Sequence, residues 1–138
     1  MTRVRKAVAY VVDGGRLLVF THRDLPMTVT GVQVPAGTMR PDETPYDAVL
    51  RETREETGRD CFAVRRPLGT AEYAIGDDVH ERHFFELTTT APLPERWEAA
   101  EEHDGEAPPT PFELFWIPVE QGHVLAFGLG ARLAELSS

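Results

Sequence analysis

The sequence lacks the features that mark secreted and membrane proteins. Cys61 is its one cysteine, so no disulfide can form within the chain and no cysteine-based metal site is possible. The longest clean apolar run, residues 7–12, has six residues, whereas a membrane-spanning helix needs about 20. The first residues have neither the length nor the small-residue cleavage site of a signal peptide. We therefore expect a cytoplasmic protein without a membrane partner.

An excess of basic residues is also missing. The formal net charge is −9, and it is concentrated in two stretches. Residues 42–60 carry seven acids and three arginines, and residues 95–106 carry six acids and one arginine. This distribution argues against binding to duplex nucleic acid, which requires a basic face. It suits a divalent cation that bridges to a phosphate group. The alternative is that both stretches are simply solvated acidic segments.

The chain length of 138 residues suits one hydrophobic core, and we predict a single domain over residues 1–138. Apolar runs at 7–12 and 17–20 flank Asp13-Gly14-Gly15-Arg16, which predicts a β-hairpin. Further strands are predicted at 32–34, 61–64, 68–75, 83–90 and 112–117, with a proline-rich acidic loop at 91–111 that contains a helical turn near Trp97.

Two helices are predicted among these strands. The clearer one covers about 44–58, where Thr44 fits the N-cap, Pro45 the first helical position and Gly58 the C-terminal stop. The second covers about 124–136, where four leucines form one apolar stripe. Together the elements predict a mixed α/β layered domain.

Three glutamates lie on one side of the first helix. An α-helix turns about 100° per residue, so Glu55 and Glu56 lie roughly 60° and 40° to either side of Glu52. Each pair of like charges at this spacing destabilises a helix by roughly a few tenths of a kcal/mol. Either nearby arginines relieve the repulsion on a surface helix, or the carboxylates coordinate a hard cation such as Mg²⁺. The helix alone leaves both interpretations open.

The surrounding sequence favours the cation. Residues 37–59 read GTMRPDETPYDAVLRETREETGR, which resembles the Nudix box, G-x5-E-x7-R-E-U-x-E-E-x-G-U, where U is a bulky aliphatic residue. The residues that match its fixed positions are Gly37, Glu43, Arg51, Glu52, Glu55, Glu56 and Gly58. Thr53 and Arg59 depart from the pattern, which has bulky aliphatic residues at both positions.

The resemblance implies a Nudix-type α/β/α sandwich around a mixed β-sheet. It implies hydrolysis of a diphosphate linkage in a nucleoside diphosphate joined to another group X, with Mg²⁺ or Mn²⁺ as the cofactor. By position it makes Glu52, Glu55, Glu56 and the Gly37 carbonyl metal ligands. Arg51, Glu52 and Glu55 are then the catalytic group, with Glu52 as a candidate base oriented by Arg51. Glu43 and Gly58 would be structural.

Other residues are candidates outside the box. In several relatives an extra acidic ligand or the base comes from a later loop, which here offers Glu98, Glu101 and Glu102. Arginine binds phosphate oxygens bidentately, so Arg23, Arg40 and Arg82 are candidate phosphate contacts, although each is equally suited to a surface ion pair.

The leading interpretation is a hydrolase that acts on a small nucleotide-like diphosphate. One alternative is a Nudix-fold nucleotide-binding or regulatory module without significant turnover, and another is an acidic protein-interaction domain. The identity of X, the position of the base, the number of metal ions and the oligomeric state stay open. A homodimer through the apolar edge of the first hairpin is one option.

Overall fold

The computed structural model of this chain describes residues 2–26, 30–101 and 109–137. Within them the elements, in chain order, are β1 (Thr2–Asp13), β2 (Arg16–His22), β3 (Ala36–Thr38), α1 (Pro45–Thr57), β4 (Phe62–Ile75), β5 (Asp78–Thr89), β6 (Arg96–Glu101), β7 (Thr110–Pro118) and the short 3₁₀ helices Val119–Val124 and Leu133–Ser137. Among the described residues, none of the helices has the length and apolar character needed to cross a membrane.

Strand β1 joins the two halves of a mixed sheet whose order is β4-β5-β1-β2-β7-β6. It runs parallel to β5, antiparallel to β3 and, at its end, antiparallel to β2. The predicted hairpin is confirmed, since Asp13 pairs with Arg16. Its outer edges are covered, β1 by β5 and β2 by β7. These pairings occupy the hairpin edges through which the sequence suggested a homodimer.

Residues of β1 alternate between two cores, as expected for a strand covered on both faces. Ala7, Ala9 and Val11 pack with Ala48 and Val49 of α1. Val8 and Tyr10 face the other way, into a core closed by Leu129 of the C-terminal segment. The sheet is thus sandwiched between α1 and the C-terminal segment, which confirms the predicted α/β class and the helix over 44–58.

The predicted α-helix over 124–136 is wrong. Phe127 and Gly128 both have left-handed backbone, with φ of 56° and 71°, which a right-handed helix does not accommodate. A methyl group on Gly128 would lie 2.8 Å from the Tyr73 ring, so the turn follows the sheet surface closely. The leucine stripe is nevertheless apolar-facing: Leu129 is buried, and its three counterparts pack against the same core, namely Leu125, Leu133 and Leu136.

Strand β6 lies in a segment that the sequence predicts as a loop with a helical turn. It pairs antiparallel with β7, and Glu101 is opposite Thr110. Trp97 and Ala99 pack against the core beneath α1. Apart from Trp97, the apolar residues of β6 are alanines, so the alternation is a weak strand signal in the sequence. Residues 102–108 of the predicted loop lie outside the described part of the chain.

Two smaller predictions also differ from the structure. Residues 32–34 form no regular strand, because Val32 and Gln33 make isolated bridges to Leu125 and Phe20. The strands predicted at 61–64 and 68–75 are one continuous strand, β4, with irregular register around Arg66 and Leu68. The Val32 bridge joins segments that are distant in sequence, whereas β4 is continuous because it pairs antiparallel with β5, the next strand in the chain.

Candidate metal and catalytic site

Helix α1 sets the acids of the box against strand β3. The helix begins as predicted, because the Thr44 hydroxyl accepts a hydrogen bond from the Asp47 N–H at 3.1 Å. It ends at Gly58, whose φ is 69° and whose N–H bonds to the Arg54 carbonyl. These caps fix the register of the helix. Glu52 and Glu56 are buried as a result, and Glu55 is exposed.

Gly37 allows the backbone of β3 to touch the Glu52 carboxylate. A Cβ atom at position 37 would lie 2.0 Å from Glu52 Cδ and 2.1 Å from its Oε2. Any side chain would therefore displace the carboxylate, which explains the need for glycine here. Burial raises the pKa of Glu52, and Arg51 opposes this rise.

Glu56 is held by the residue before Gly37. Its Oε1 accepts a hydrogen bond from the Ala36 N–H at 2.7 Å, so successive residues of β3 contact successive acids of the helix face. Burial raises the pKa of Glu56 well above its ordinary value, and the negative charge of Glu101 raises it further. This buried carboxylate favours a cationic partner when it is ionised.

Strand β6 brings a further acid to this cluster. Glu52, Glu55 and Glu101 each offer a carboxylate oxygen, and these ligand atoms lie within 4.8 Å of one another. Of the loop acids suggested by the sequence, Glu101 is thus brought to the box. Glu98 instead faces Arg23, with 3.2 Å between its Oε2 and the Arg23 Nη1. Glu102 lies outside the described residues.

Arg51 and Glu43 form a network beside the acids. Arg51 Nη1 donates to Glu52 Oε1 at 2.8 Å and contacts Glu55 Oε2 at 3.2 Å. Its Nε and Nη2 both donate to the Glu43 carboxylate, and Nη2 also reaches the Thr38 carbonyl. Hydrogen bonding from Arg51 lowers the pKa of Glu43 to about 2. The network ties the loop before α1 to the helix and fixes the orientation of Glu52.

The candidate phosphate-binding arginines have three different environments. Arg23 is exposed and paired with Asp24 and Glu98. Arg40 is exposed and lies 3.9 Å from a Glu55 oxygen. Arg82 is buried, with 6% of its surface exposed, and donates to the Phe127 carbonyl. The structure therefore separates one buried arginine from two surface ion pairs.

A cavity of about 280 Å³ lies next to the acids, on the opposite face of β1 and β5 from α1. Ala36 and Gly37, which contact Glu56 and Glu52, also line this cavity. Lys6, His80 and Arg82 contribute its basic groups. The sequence gives no signal for this grouping, because it depends on the register between β1 and β5.

The donor set fits a hard divalent cation. Glu52, Glu55 and Glu101 provide oxygen ligands from two elements, and Glu56 adds a buried carboxyl group beside them. Mg²⁺ and Mn²⁺ prefer such carboxylate oxygens. Gly37, whose carbonyl the box resemblance implies as a ligand, lies directly against the Glu52 carboxylate. Residues 52, 55 and 101 are the acids that would hold the cation.

Comparison with known proteins gives a family match over nearly the whole chain. The model of the NUDIX domain family matches residues 2–136. No match was found among curated protein sequences.

Solved structures with the same fold include three of similar size. A NUDIX hydrolase from Nitrosomonas europaea is 16% identical, with a TM-score of 0.69 over 97% of this chain and 87% of that one. The MutT protein from Methanosarcina mazei Go1 is 18% identical, with a TM-score of 0.69 over 99% and 96%. An Ap4A hydrolase from C. elegans is 18% identical, with a TM-score of 0.68 over 97% and 95%. At these identities the likeness concerns the fold.

Proposed function

Because this chain belongs to the Nudix family and is a Nudix-type pyrophosphohydrolase, we propose that it hydrolyses a diphosphate linkage in a nucleoside diphosphate joined to another group, with a divalent cation as cofactor. The observation that carries this proposal is the meeting of Glu101 from β6 with Glu52 and Glu55 from α1. These acids come from two elements that are distant in sequence and converge on one centre. Acids that were only solvated at the surface would have no reason to converge in this way.

The cation would be held by acids of α1 and β6. We assign Glu52, Glu55, Glu56 and the Gly37 carbonyl as ligands, and Glu101 as a further ligand or base. Mg²⁺ and Mn²⁺ both suit these oxygen donors. A divalent cation in this position would supply positive charge to the diphosphate oxygens and acidify the attacking water.

The chain itself provides proton transfer and orientation. A carboxylate of the cluster accepts the proton of the attacking water, a contribution of roughly 10²- to 10⁴-fold in rate. Among the described residues, Glu52 and Glu101 are the candidates for this base. Glu52 is fixed by Arg51 and by the backbone of Gly37, whereas Glu101 is delivered by the end of a strand. Arg51 acts as a positioning residue, and Glu43 holds it in place.

The substrate class follows from charge as well as from the site. With a net charge of −9, the protein repels polyanions unless cations neutralise the local field. We propose a small nucleotide-like diphosphate as the substrate, rather than duplex nucleic acid, and a cytoplasmic location. Relatives of the same fold carry names such as Ap4A hydrolase and UDP-X diphosphatase, and compounds of both kinds belong in the substrate panel.

The test is hydrolysis of a nucleotide panel with Mg²⁺, Mn²⁺ or EDTA, followed by product chromatography. We expect cleavage at a diphosphate linkage of at least one compound class, dependent on the cation and abolished by EDTA. Saturable nucleotide binding with no turnover under any of these conditions would replace the hydrolase with the binding module. Cleavage unaffected by EDTA would overturn the assigned site.

A further inference from the structure

The cavity beside the acidic centre combines apolar walls with basic groups. Val8, Ile75, Phe127 and Leu129 supply apolar surface. Phe127 is 45% exposed and adopts a φ of 56°, which is unusual for a bulky residue. That conformation directs its carbonyl to Arg82 and places the residue in the cavity lining.

The basic groups come together through the pairing of β1 with β5. Lys6 is opposite Arg82 in the parallel ladder, and neighbours in such a row share a face of the sheet. His80 lies two residues before Arg82 on β5 and therefore also faces the cavity. Burial lowers the pKa of His80, and the charges of Lys6 and Arg82 lower it further.

Among the residues that the structure describes, Arg82 has no negatively charged partner. Its guanidinium donates to the Phe127 carbonyl at 2.5 Å and lies 4.4 Å from the centre of the Tyr73 ring. In the ranges that the structure describes, no carboxylate oxygen lies within 4.0 Å of it. Asp78 acts weakly on His80 from the start of β5, but it forms no ion pair with Arg82.

Another buried charge in the same sheet is treated differently. Glu86 is 5% exposed, and its two carboxylate oxygens are paired with Arg65 and Arg66 at 2.7 and 3.0 Å. A buried charge without a counter-charge is destabilising. The contrast with Arg82 indicates that the counter-charge of Arg82 comes from a ligand.

We propose that the cavity binds an oxyanion group, a phosphate or a carboxylate, that the substrate carries in addition to the scissile diphosphate. Arg82 is the specificity residue of this subsite, and Lys6 and His80 support it. The inference rests on the proposed function, because the cavity shares Ala36 and Gly37 with the acidic centre. One substrate can then reach from the acids across the edge of β3 to Arg82.

Binding of inorganic phosphate in EDTA tests the subsite without requiring turnover. We expect saturable binding by calorimetry in the wild-type protein, and an affinity reduced by about tenfold or more in Arg82→Met. Lys6→Met is the second variant, since Lys6 is only half-buried and its loss leaves the core intact. Arg16→Met, which removes an exposed guanidinium paired with Glu95, is the matched control and keeps wild-type affinity.

Matched substrates then identify the source of the oxyanion. NADPH and NADH differ by one phosphate, and UDP-glucuronate and UDP-glucose differ by one carboxylate. We expect wild-type kcat/KM to favour the charged member of at least one pair by about tenfold, and Arg82→Met to remove that preference. Circular dichroism and thermal unfolding verify that each variant is folded.

The two arms separate the subsite from the proposed function. Phosphate affinity that is equal in wild type, Arg82→Met and Lys6→Met, or no saturable phosphate binding at all, overturns the subsite. A preference for the charged substrate that survives in Arg82→Met also overturns it. Arg82-dependent phosphate binding without cation-dependent cleavage of any compound supports the subsite and contradicts the hydrolase.

Discussion

At the scale of single residues, the site depends on backbone contacts to buried carboxylates. Ala36 donates to Glu56, and Gly37 makes room for Glu52. These contacts hold the carboxylates away from water, so their ionised forms are stabilised when a cation binds beside them. The glycine is required by close packing rather than by its backbone angle, since Gly37 is not among the residues with positive φ.

The Glu56→Gln variant separates charge from shape. Glutamine keeps a carbonyl oxygen that can accept from Ala36 N–H, so we expect the fold to persist. The thermal midpoint in EDTA should be at or above that of wild type, because a neutral amide replaces a carboxyl group whose charged form is disfavoured by burial. Turnover with Mg²⁺ should fall by about two to three orders of magnitude. Substantial activity in this variant would remove Glu56 from the ligands.

The sequence predicted the box residues but could not choose among the later acids. The choice follows once β6 is known to be a strand, because residues three apart in a strand lie on opposite faces. Trp97 and Ala99 face the core under α1, which places Glu101 on the same side. Glu98 is turned toward Arg23. The pairing of β6 with β7, which is not local in sequence, supplies this information.

At the scale of elements, Trp97 connects strand β6 to the end of α1. Its Nε1 donates to the Thr57 carbonyl at 2.8 Å, and the Arg59 guanidinium lies 5.4 Å from its ring. This contact satisfies a carbonyl of the last helical turn and sets the distance between Glu101 and the helix acids. The same ring also packs against Arg59, which follows the helix and takes an aliphatic position of the box.

Trp97→Phe should therefore impair turnover out of proportion to its effect on folding. We expect a loss of about 1 kcal/mol in unfolding free energy and a decrease in kcat of roughly 10- to 100-fold, because Glu101 is displaced. Trp116→Phe is the control: it loses a similar bond, from Nε1 to the Pro94 carbonyl, and should retain kcat. Equal kcat in both variants would show that β6 does not position the site.

The ion pair between Glu43 and Arg51 gives the loop before α1 a defined pH dependence. The pKa of Glu43 falls from 4.5 to about 2 in the folded protein, so the unfolded chain binds more protons between these values. The stabilisation is complete above pH about 4.5 and is lost as the pH falls through about 2.

Glu43→Gln tests this contribution by urea unfolding at pH 7 and pH 3. The variant should be less stable than wild type at pH 7, and the difference should shrink at pH 3. Glu95→Gln, which removes an exposed partner of Arg16, should change stability little at either pH. A difference between Glu43→Gln and wild type that does not vary with pH would contradict the assigned ion pair.

The helices show which elements were predictable. Helix α1 begins and ends with signals carried by its own residues, Thr44, Pro45 and Gly58, and the sequence located it within one residue. The C-terminal segment has an equally clear apolar stripe, but its path is set by packing on Tyr73 and by the left-handed backbone at Phe127 and Gly128. The stripe thus predicted burial without predicting conformation.

At the scale of the whole molecule, the sheet separates the acidic centre from the basic cavity. Both lie against β3, one toward α1 and the other toward the C-terminal segment. The box resemblance predicted the sandwich and the acids. It could not predict the cavity, because Lys6, His80 and Arg82 become neighbours only through the parallel pairing of β1 with β5.

Tyr10 anchors the C-terminal segment to the sheet. Its hydroxyl donates to the Leu129 carbonyl at 2.5 Å and accepts from the Arg132 N–H at 3.2 Å. Burial raises the pKa of Tyr10 from 10.0 to about 12. The folded protein therefore retains this proton at a pH where the unfolded chain releases it, and the stabilisation is complete below pH about 10 and lost as the pH rises through about 12.

Tyr10→Phe should cost about 1 to 3 kcal/mol at pH 8, since the buried Leu129 carbonyl and the part-buried Arg132 N–H lose their partner. Because the titrating group is gone, the variant should also lose less stability than wild type between pH 10 and 12. Tyr46→Phe, at a site 47% exposed, is the control for both effects. An unchanged alkaline transition in Tyr10→Phe would contradict the anchoring role.

The central claim is that acids from α1 and β6 form one cation site. The most direct test is Mn²⁺ binding, measured by calorimetry, in wild type, Glu101→Gln and Glu98→Gln. These variants make the same chemical change on the same strand. The account predicts an affinity at least about tenfold weaker in Glu101→Gln and unchanged in Glu98→Gln. Wild-type affinity in Glu101→Gln would contradict it.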